Sequence, residues 1–208
     1  MKKPVIILGA GGHAKVLVEV LRTTGHEILG FTDPFVKPGE KMFGVICLGG
    51  DDMLQEYSAD EIELVNGIGA LPGEHLRWEI GKKMREHGYC FTTVIHPSSI
   101  IAKDVELDVG VQVMAGTVLQ PGVSIGCDSI INTGVCIDHD CHIGDRCHLA
   151  PGVTLSGGVR MGDGVHVGTG TSVIQDVEIG ARTVIAAGAV VYNDIPADVK
   201  YIQLRQEG

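Results

Sequence analysis

The sequence is poor in aromatic residues, which make up 4% of its 208 positions. A core built around large rings is therefore excluded. Glycine supplies 30 residues, which favours a fold with many tight turns and thin, regular packing. Positive charge is also scarce, and the formal net charge of −10 disfavours nucleic acid or an acidic membrane surface as a partner. A small phosphorylated ligand remains compatible with this charge, because backbone amides can hold it.

Cysteine pairs and long apolar runs are missing as well. The six cysteines include no CxxC pair and mostly lie in apolar or glycine-rich runs, so we interpret them as reduced, small core residues. The apolar run Val5–Leu8 is followed at once by Gly9, which makes it too short for a signal peptide. No stretch approaches the length of a membrane span. We therefore expect a cytoplasmic protein with no membrane association.

An apolar residue recurs at every sixth position between residues 95 and 191. Small or β-branched residues stand two positions before each of them, and Gly or Asp, which tolerate positive φ, mostly stand three positions after. Each hexad is thus a short strand followed by a corner. The repeated residues are Ile95, Ile101, Leu107, Val113, Leu119, Ile125, Ile131, Ile137, Ile143, Leu149, Leu155, Met161, Val167, Val173, Ile179, Ile185 and Val191.

The hexads group in threes. Ile-Gly or Met-Gly pairs begin at residues 125, 143, 161 and 179, a spacing of 18 residues that indicates three hexads per coil and about five coils. No loop interrupts the series. We predict a parallel β-helix that occupies residues 95–208, and we call the series of apolar residues the ladder.

The first 94 residues alternate strands and helices, which predicts a small α/β unit with a parallel sheet, about half of a dinucleotide-binding fold. The segment Gly30–Gly50 is loop-rich and carries no clear pattern. The predicted strands are Val5–Leu8, Glu27–Thr32, Ile62–Val65 and Cys90–Ile95, and the predicted helices are Ala14–Thr23 and Glu74–His87.

A glycine turn connects the first strand to the first helix. The residues Gly9-Ala10-Gly11-Gly12-His13-Ala14 fit the pattern G-x-G-x-x-A, in which glycines let the backbone approach a phosphate at a helix start. Asp33 follows the second strand, where an acid can bind a ribose hydroxyl. Alone, this motif favours NAD. A single half of the fold better suits a smaller ligand such as a nucleotide-sugar, and a tight turn without a ligand is the plain alternative.

Four histidines, His139, His142, His148 and His166, fall within 28 residues of the ladder at positions expected to be exposed. One hypothesis is acyl transfer, in which a histidine accepts a proton and Asp138 or Asp140 orients it. A second is a zinc site, and a third is a solvated polar face without function. His148 and His166 differ by 18 residues and are predicted to stack. Cys141 beside them points inward, which favours a structural role over a nucleophile.

Several motifs resemble the sialic acid O-acetyltransferase family of hexapeptide-repeat sugar acyltransferases, which includes N-acetyltransferases of UDP-4-amino-sugars on the bacillosamine pathway. The motifs are Gly9–Val16 (GAGGHAKV), Phe31–Asp33, Ile131–Gly144 (INTGVCIDHDCHIG) and His148–Gly158 (HLAPGVTLSGG). The resemblance implies a left-handed β-helix and a homotrimer with acetyl-CoA between adjacent subunits. It also implies N-acetylation of the 4-amino group of a UDP-linked deoxy-amino-sugar, with O-acetylation of sialic acid or another sugar as the alternative. No metal is expected.

The same resemblance assigns roles to individual residues. His139 is the implied general base and Asp140 the acid that orients it. The implied acetyl-CoA contacts are His148, Ser156, Gly157, Gly168, Thr169 and Ala187, with the Gly157 N–H as oxyanion donor. The implied nucleotide-sugar contacts are Gly11, Gly12, His13, Asp33, Gly69 and Arg77. The segment after Ile195-Pro196-Ala197 lacks the G-x-P-A-K sequence that is usual in the family near the CoA nucleotide. A β-helix zinc hydrolyase and a non-catalytic nucleotide-binding scaffold are the more distant alternatives.

Overall fold

The computed structural model describes residues 2–73 and 75–202. The chain separates into two compact units, Met1–Pro97 and Ser98–Gly208. Two parts of the predictions lie outside the described residues: the first position of the predicted helix 74–87, and the C-terminal positions 203–208.

The first unit is an α/β unit built on a five-stranded sheet. The strand order is β3-β4-β2-β1-β5, with β3 antiparallel to β4 and the other neighbours parallel. A 3-10 helix at Asp51–Glu56 follows β4. The elements are β1 (Val5–Leu8), α1 (Gly12–Thr23), β2 (Ile28–Thr32), β3 (Lys41–Met42), β4 (Val45–Gly49), β5 (Glu63–Asn66), α2 (Leu76–Glu86) and β6 (Val94–Ile95).

The alternation of strands and helices predicted for this unit is confirmed, with one correction and one addition. The expected strand over residues 90–95 is reduced to β6, and Phe91 only forms an isolated parallel bridge with Leu64. The loop-rich segment over residues 30–50, to which the sequence assigned no element, contains β3 and β4. Its turn, Phe43-Gly44, has positive φ at both residues (54° and 72°), as in a type I′ hairpin. The usual Asn-Gly signal of that turn is absent, which explains why the sequence did not reveal it.

The second unit is a parallel β-helix of two-residue strands. Each strand pairs with the strand one coil away, for example Cys136 with Thr154 and Ile137 with Leu155. The strands are β7 (Ile100–Ile101), β8 (Glu106–Leu107), β9 (Gln112–Val113), β10 (Val118–Leu119), β11 (Ser124–Ile125), β12 (Ile130–Ile131), β13 (Cys136–Ile137), β14 (His142–Ile143), β15 (His148–Leu149), β16 (Thr154–Leu155), β17 (Arg160–Met161), β18 (His166–Val167), β19 (Ser172–Val173), β20 (Glu178–Ile179), β21 (Val184–Ile185), β22 (Val190–Val191) and β23 (Lys200–Tyr201).

These strands form the three faces of a prism. The first face consists of β7, β10, β13, β16, β19 and β22; the second consists of β8, β11, β14, β17 and β20; the third includes β9, β12, β15, β18, β21 and β23. The chain passes from the first face to the second, from the second to the third, and from the third back to the first. We name the corners accordingly: edge 1–2, edge 2–3 and edge 3–1.

The ladder forms the core of this unit, as predicted. Every ladder residue from Val113 to Val191 is buried, whereas Ile101 and Leu107 near the start are only partly buried. The prediction is wrong for Ile95, the first ladder residue, which is exposed and belongs to the first unit. The corners have the predicted positive φ at their glycines and at Asp128, Asp140 and Asp176, each with φ of 60°. Asp104 is the exception among the four aspartates, because it is not among the residues with positive φ.

The core also continues past the predicted end of the ladder. Ile195 bridges to Ile179, and Tyr201 pairs with Ile185, so both partners are 16 rather than 18 residues apart. The corner after Val191 is therefore two residues shorter than the others. A search at a fixed spacing of six residues misses this last part of the helix, and the described strands amount to nearly six coils instead of about five.

Candidate active site

A histidine and an aspartate meet at edge 1–2, in the corner between β13 and β14. His139 Nδ1 lies 2.9 Å from Asp140 Oδ2, and both side chains are exposed. The backbone N–H of His139 donates to Asp138 Oδ1 at 2.8 Å, which fixes the corner. Because a neutral imidazole that donates through Nδ1–H presents a lone pair at Nε2, the arrangement makes Nε2 the basic atom.

Electrostatics favour the protonated form of this imidazole. The hydrogen bond to Asp140 raises the pKa of His139 above its usual 6.5, and the charges of Asp138 and Asp176 act in the same direction. A stronger base accepts a proton more readily, but it is free to do so only above its own pKa. The pair therefore has the composition and the geometry of a general base with an orienting carboxylate.

Two glycines of the next coil form the floor on which His139 rests. A Cβ added to Gly157 would stand 2.6 Å from both Cε1 and Nε2 of the His139 ring, so the imidazole occupies the space that any side chain at 157 would need. The neighbouring Gly158 has φ of +73°, and its N–H donates to the His139 carbonyl at 2.9 Å. The N–H of Gly157 meets no acceptor among the described residues. The His139 ring therefore requires a glycine at position 157, and the backbone N–H of Gly157 is available as a hydrogen-bond donor.

This corner opens into a groove of about 760 Å³ along edge 1–2 and the second face. Within it, His142 Nδ1 lies 2.7 Å from the Ser124 hydroxyl. The lining residues are His139, Asp140, His142, Gly157, Gly158, Arg160, Gln175, Asp176 and Glu178. The groove is large enough for part of a small-molecule ligand and places the candidate base at its wall.

His148 and His166 lie elsewhere, on the third face. They are paired across β15 and β18, as predicted, with ring centroids 4.8 Å apart in an edge-to-face arrangement. Both are half-buried rather than exposed, which corrects the expectation for them. Burial, and secondarily the nearby His148, lower the pKa of His166 to about 4. His166 is therefore neutral near pH 7.

The depressed pKa of His166 predicts a loss of stability in acid. Between pH 6.5 and about 4 the unfolded chain binds a proton at this residue that the folded chain does not, so stability falls as the pH falls through that window. We expect the drop in Tm from pH 7 to pH 5 to be smaller for His166→Gln than for the unsubstituted protein. Thermal unfolding at both pH values measures it, and equal drops for the two proteins would contradict the assignment.

The remaining predicted acetyl-CoA contacts fall at two different edges. Ser156 accompanies Gly157 at edge 1–2, whereas Gly168, Thr169 and Ala187 lie at edge 3–1. Gly168 and Ala187 are adjacent there, because a Cβ on Gly168 would collide with the Ala187 backbone. Within one chain, the structure therefore does not bring the whole predicted set together.

The glycine turn of the first unit has the features of an anion site. Gly11 caps α1 without a side-chain hydrogen bond, and no acidic residue lies in the first turn of that helix. A Cβ at Gly11 or Gly12 would meet nothing within 4 Å, so the space above the helix start is open. Asp33 accepts from the Ala10 N–H at 3.0 Å and from the Phe35 N–H at 2.9 Å, and thereby braces the turn. The geometry suits a phosphate group.

Arg77 does not occupy the position expected of a direct ligand contact. It is 2% exposed, and its Nη1 donates to the carbonyls of Asn66 and Ile68 at 2.8 and 2.6 Å. These bonds shape the loop after β5, in which Gly69 is exposed. The structure thus gives Arg77 a role in holding the loop, since a buried guanidinium is rarely left without such partners.

Cys141 is inward and fully buried, as expected, and burial raises the pKa of its thiol to about 11. A thiol with that pKa is a poor nucleophile at neutral pH. The expectation that the cysteines are core residues holds for Cys47, Cys141 and Cys147 but is wrong for Cys90 and Cys136, which are exposed. All six are free thiols.

Two wider features complete the description. Across residues 2–73 and 75–202, no group of three or more His, Cys, Asp or Glu side chains is placed to hold a metal ion. In the same part of the chain, no helix has the length and apolar character required to cross a bilayer.

Comparisons with known proteins cover both units. Residues 4–84 match the PglD N-terminal domain, and residues 122–157 and 158–193 match the bacterial transferase hexapeptide (six repeats). Among solved structures, a histidine-to-alanine variant of GDP-perosamine N-acetyltransferase from Caulobacter crescentus, in complex with CoA and GDP-perosamine, is 38% identical with a TM-score of 0.85. That alignment covers 95% of this chain and 93% of the other. The chain belongs to the hexapeptide-repeat sugar acetyltransferases.

A second relative supports the same placement. The acetyltransferase domain of PglB from Neisseria gonorrhoeae, in complex with acetyl coenzyme A, is 29% identical with a TM-score of 0.86, and the alignment covers 94% of each chain. The fold of this sugar acetyltransferase is thus an α/β domain followed by a left-handed β-helix of hexapeptide repeats, as the resemblance implied. Its class, an acetyl-CoA-dependent sugar acetyltransferase, agrees with that resemblance.

Part of the groove along edge 1–2 was not predicted from the sequence. Asp176 and Glu178 line it but were not singled out as site residues. The 18-residue spacing from Asp140 through Gly158 to Asp176 was available as a signal, because it places these three residues at one edge in successive coils. The same spacing relates Gln175 to His139 and Gly157, and it relates Arg160 and Glu178 to His142.

Replacement of Asp140 tests the electrostatic coupling at this corner. Since the hydrogen bond that His139 donates to Asp140 is the main cause of the raised pKa of His139, Asp140→Asn is expected to lower that pKa. The acid limb of the kcat/KM profile should then move to lower pH, and the maximal rate should fall by less than the roughly 10²–10⁴-fold expected for loss of the base itself. The measurement is a pH–rate profile of both proteins. An unmoved acid limb would show that His139 does not titrate in that profile.

Proposed function

We propose that this acetyltransferase transfers the acetyl group of acetyl-CoA to the 4-amino group of a nucleotide-linked deoxy-amino-sugar. The observation that carries the proposal is the corner at edge 1–2, where a His–Asp pair lies over a glycine with an available N–H. The solved relatives include an N-acetyltransferase crystallised with CoA and GDP-perosamine and a domain crystallised with acetyl coenzyme A. A nucleotide-sugar suits the open glycine turn of the first unit, and acetyl-CoA suits the β-helix corner that carries the His–Asp pair.

The proposed chemistry is direct attack. The acceptor amine adds to the thioester carbonyl while Nε2 of His139 takes a proton from the amine nitrogen, and the Nδ1–H bond to Asp140 stabilises the resulting imidazolium. The Gly157 N–H donates to the oxyanion that forms on the carbonyl. The C–N bond is complete when the C–S bond breaks, and the proton passes from His139 to the departing sulfur. Cys141 takes no part.

We further propose that the active enzyme is a homotrimer. Ser156 and Gly157 lie at edge 1–2, while Gly168, Thr169 and Ala187 lie at edge 3–1 together with the neighbouring His148 of the third face. One acetyl-CoA molecule could contact both groups if edge 1–2 of one subunit met edge 3–1 of the next. Measurement of the solution mass gives about three times the 22.0 kDa of one chain if this is right. A mass of one chain with full activity would contradict it.

Two nucleotides are candidates for the sugar substrate. The resemblance of the sequence motifs implies UDP, whereas the relatives at 38–39% identity were crystallised with GDP-perosamine. We assign the nucleotide site to the first unit, at Gly11, Gly12, His13, Asp33 and Gly69, with Arg77 acting through the loop that it holds. A cytoplasmic location stays a prediction of the sequence.

The test is an acetyl-transfer assay with a panel of acceptors. It offers acetyl-CoA together with UDP-, GDP- and dTDP-linked 4-amino-sugars, the corresponding 4-hydroxy sugars, and free sialic acids, and it follows CoA release. The proposal expects turnover with at least one nucleotide-linked amino-sugar and far slower turnover with every hydroxyl acceptor. Preferential acetylation of a sialic acid or of another sugar hydroxyl would contradict the proposed N-acetylation and favour O-acetylation. Nucleotide binding without any CoA release would favour a non-catalytic nucleotide-binding scaffold.

A further inference from the structure

The glycine floor of edge 1–2 lies between two carboxylates. Asp140 stands at the corner one coil before Gly158, and Asp176 stands at the corner one coil after it, since the three residues follow one another at intervals of 18. A Cβ on Gly158 would stand 2.5 Å from Asp176 Oδ1, so the Asp176 carboxylate overhangs Gly158. The His139 ring in turn overlies Gly157. The imidazole and the second carboxylate therefore cover two consecutive residues of the same floor.

The two carboxylates are engaged differently. Asp140 Oδ2 is bonded to His139 Nδ1, whereas the Asp176 carboxylate is exposed and forms no hydrogen bond or ion pair within the described residues. The backbone of Asp176 is nevertheless fixed, because its N–H donates to the Gly157 carbonyl at 3.0 Å. A carboxylate on a fixed corner, with its oxygens available beside the candidate base, is placed to bind a cationic group.

The charges of the groove point to the same class of ligand group. Its lining includes three carboxylates (Asp140, Asp176 and Glu178), one guanidinium (Arg160) and two imidazoles (His139 and His142). Apart from the imidazoles, three carboxylates face one guanidinium. An amine that enters as an ammonium is therefore attracted, whereas a hydroxyl group in the same position gains nothing from this balance.

We infer that Asp176 is the residue that distinguishes an amine acceptor from a hydroxyl acceptor, by binding the sugar ammonium across the Gly157–Gly158 floor from His139. This inference rests on the proposed N-acetyltransferase function and deepens it. Asp176 holds the ammonium next to Nε2 of His139, which accepts one proton from it and releases that proton to solvent. Neutral His139 then takes the second proton as the nitrogen attacks the thioester. The specificity arises in binding, because a hydrogen bond to a charged partner is stronger than one to a neutral hydroxyl.

The experiment compares Asp176→Asn with Asp128→Asn. Both positions are corners with φ of 60°, which asparagine tolerates, but Asp128 lies at edge 2–3 and does not line the groove. KM for the amino-sugar substrate, KM for acetyl-CoA, kcat, and Ki for the 4-hydroxy analogue of the same nucleotide-sugar are measured for each variant, and Tm is measured to verify folding.

Asp176→Asn is expected to raise KM for the amino-sugar about tenfold. KM for acetyl-CoA, kcat, and Ki for the hydroxy analogue should change less than about twofold, and Asp128→Asn should change none of the four. An unchanged amino-sugar KM would overturn the inference. An equal loss of affinity for the amino-sugar and for the hydroxy analogue would also overturn it, because Asp176 would then have a steric role. A fall in kcat alone would overturn it as well, because Asp176 would then act only through His139. If the unsubstituted enzyme acetylates no amino-sugar at all, the proposed function fails instead.

Discussion

His139→Ala is expected to lower the rate of acetyl transfer by about 10²–10⁴-fold, because this substitution removes the proposed general base. The side chain is exposed and packs only over the glycine floor, so the fold should be unaffected. The loss should appear in kcat, and binding of the nucleotide-sugar to the first unit should be retained. Steady-state kinetics together with a binding titration of the nucleotide-sugar measure both quantities.

The control for this substitution is His87→Ala. It removes an exposed histidine just beyond α2, whose Nδ1 lies 2.7 Å from the Lys83 carbonyl. Its rate should equal that of the unsubstituted enzyme. Added imidazole should restore part of the activity of His139→Ala, since a small base can enter the vacated site. A rate of His139→Ala close to that of the unsubstituted enzyme would remove the base from the mechanism. The acceptor amine would then have to reach the thioester already deprotonated.

Gly157→Ala is expected to produce the second largest effect, a loss of roughly 10²-fold, through displacement of the His139 ring rather than loss of it. The new Cβ would stand 2.6 Å from Nε2, so the imidazole must swing away from the floor. Gly157 is not among the residues with positive φ, and the ring above it is exposed. Alanine is therefore compatible with the backbone, and Tm should stay within a few degrees of the original.

A double-mutant cycle separates this effect from a direct obstruction of acetyl-CoA. If Gly157 acts through His139, adding Gly157→Ala to His139→Ala should cost almost nothing further, because the ring that it displaces is already gone. Two independent losses that multiply would show that the added methyl group blocks the donor substrate instead. A full rate for Gly157→Ala alone would show that the ring position seen over Gly157 is not the catalytic one.

Most of the β-helix could be predicted from the sequence, because one apolar residue recurs at every sixth position. Each ladder residue from Val113 to Val191 occupies an inward position that accepts only a compact apolar side chain, so a fixed spacing identifies it. The pattern failed where the spacing changed, at Ile195 and Tyr201, since a two-residue shortening of one corner shifts every later position. Arg146 and Arg182 also occupy corners with positive φ. Arginine, unlike glycine, asparagine or aspartate, does not indicate this conformation in a sequence.

The candidate site was less predictable, because it depends on which residues face each other across coils. The adjacent pair His139 and Asp140 can be recognised in the sequence. The steric demand on Gly157 cannot, since it arises from a ring that comes from the preceding coil. The assignment of Arg77 to the nucleotide-sugar site comes from the resemblance, and the sequence does not show that its side chain is buried and holds the loop after β5. Hydrophobic periodicity predicts which residues are buried in the core. The direction of a side chain at a corner can be seen only in the structure.

The most direct measurement of the central claim is the identity of the acetylated product. The enzyme is incubated with isotope-labelled acetyl-CoA and the nucleotide-linked 4-amino-sugar that gives the fastest CoA release, and the product is examined by mass spectrometry and NMR. We predict one labelled acetyl group in amide linkage on the sugar nitrogen for each CoA released, and no label on the protein. Label on a sugar oxygen, or on the protein itself before acceptor is added, would contradict direct transfer to an amine.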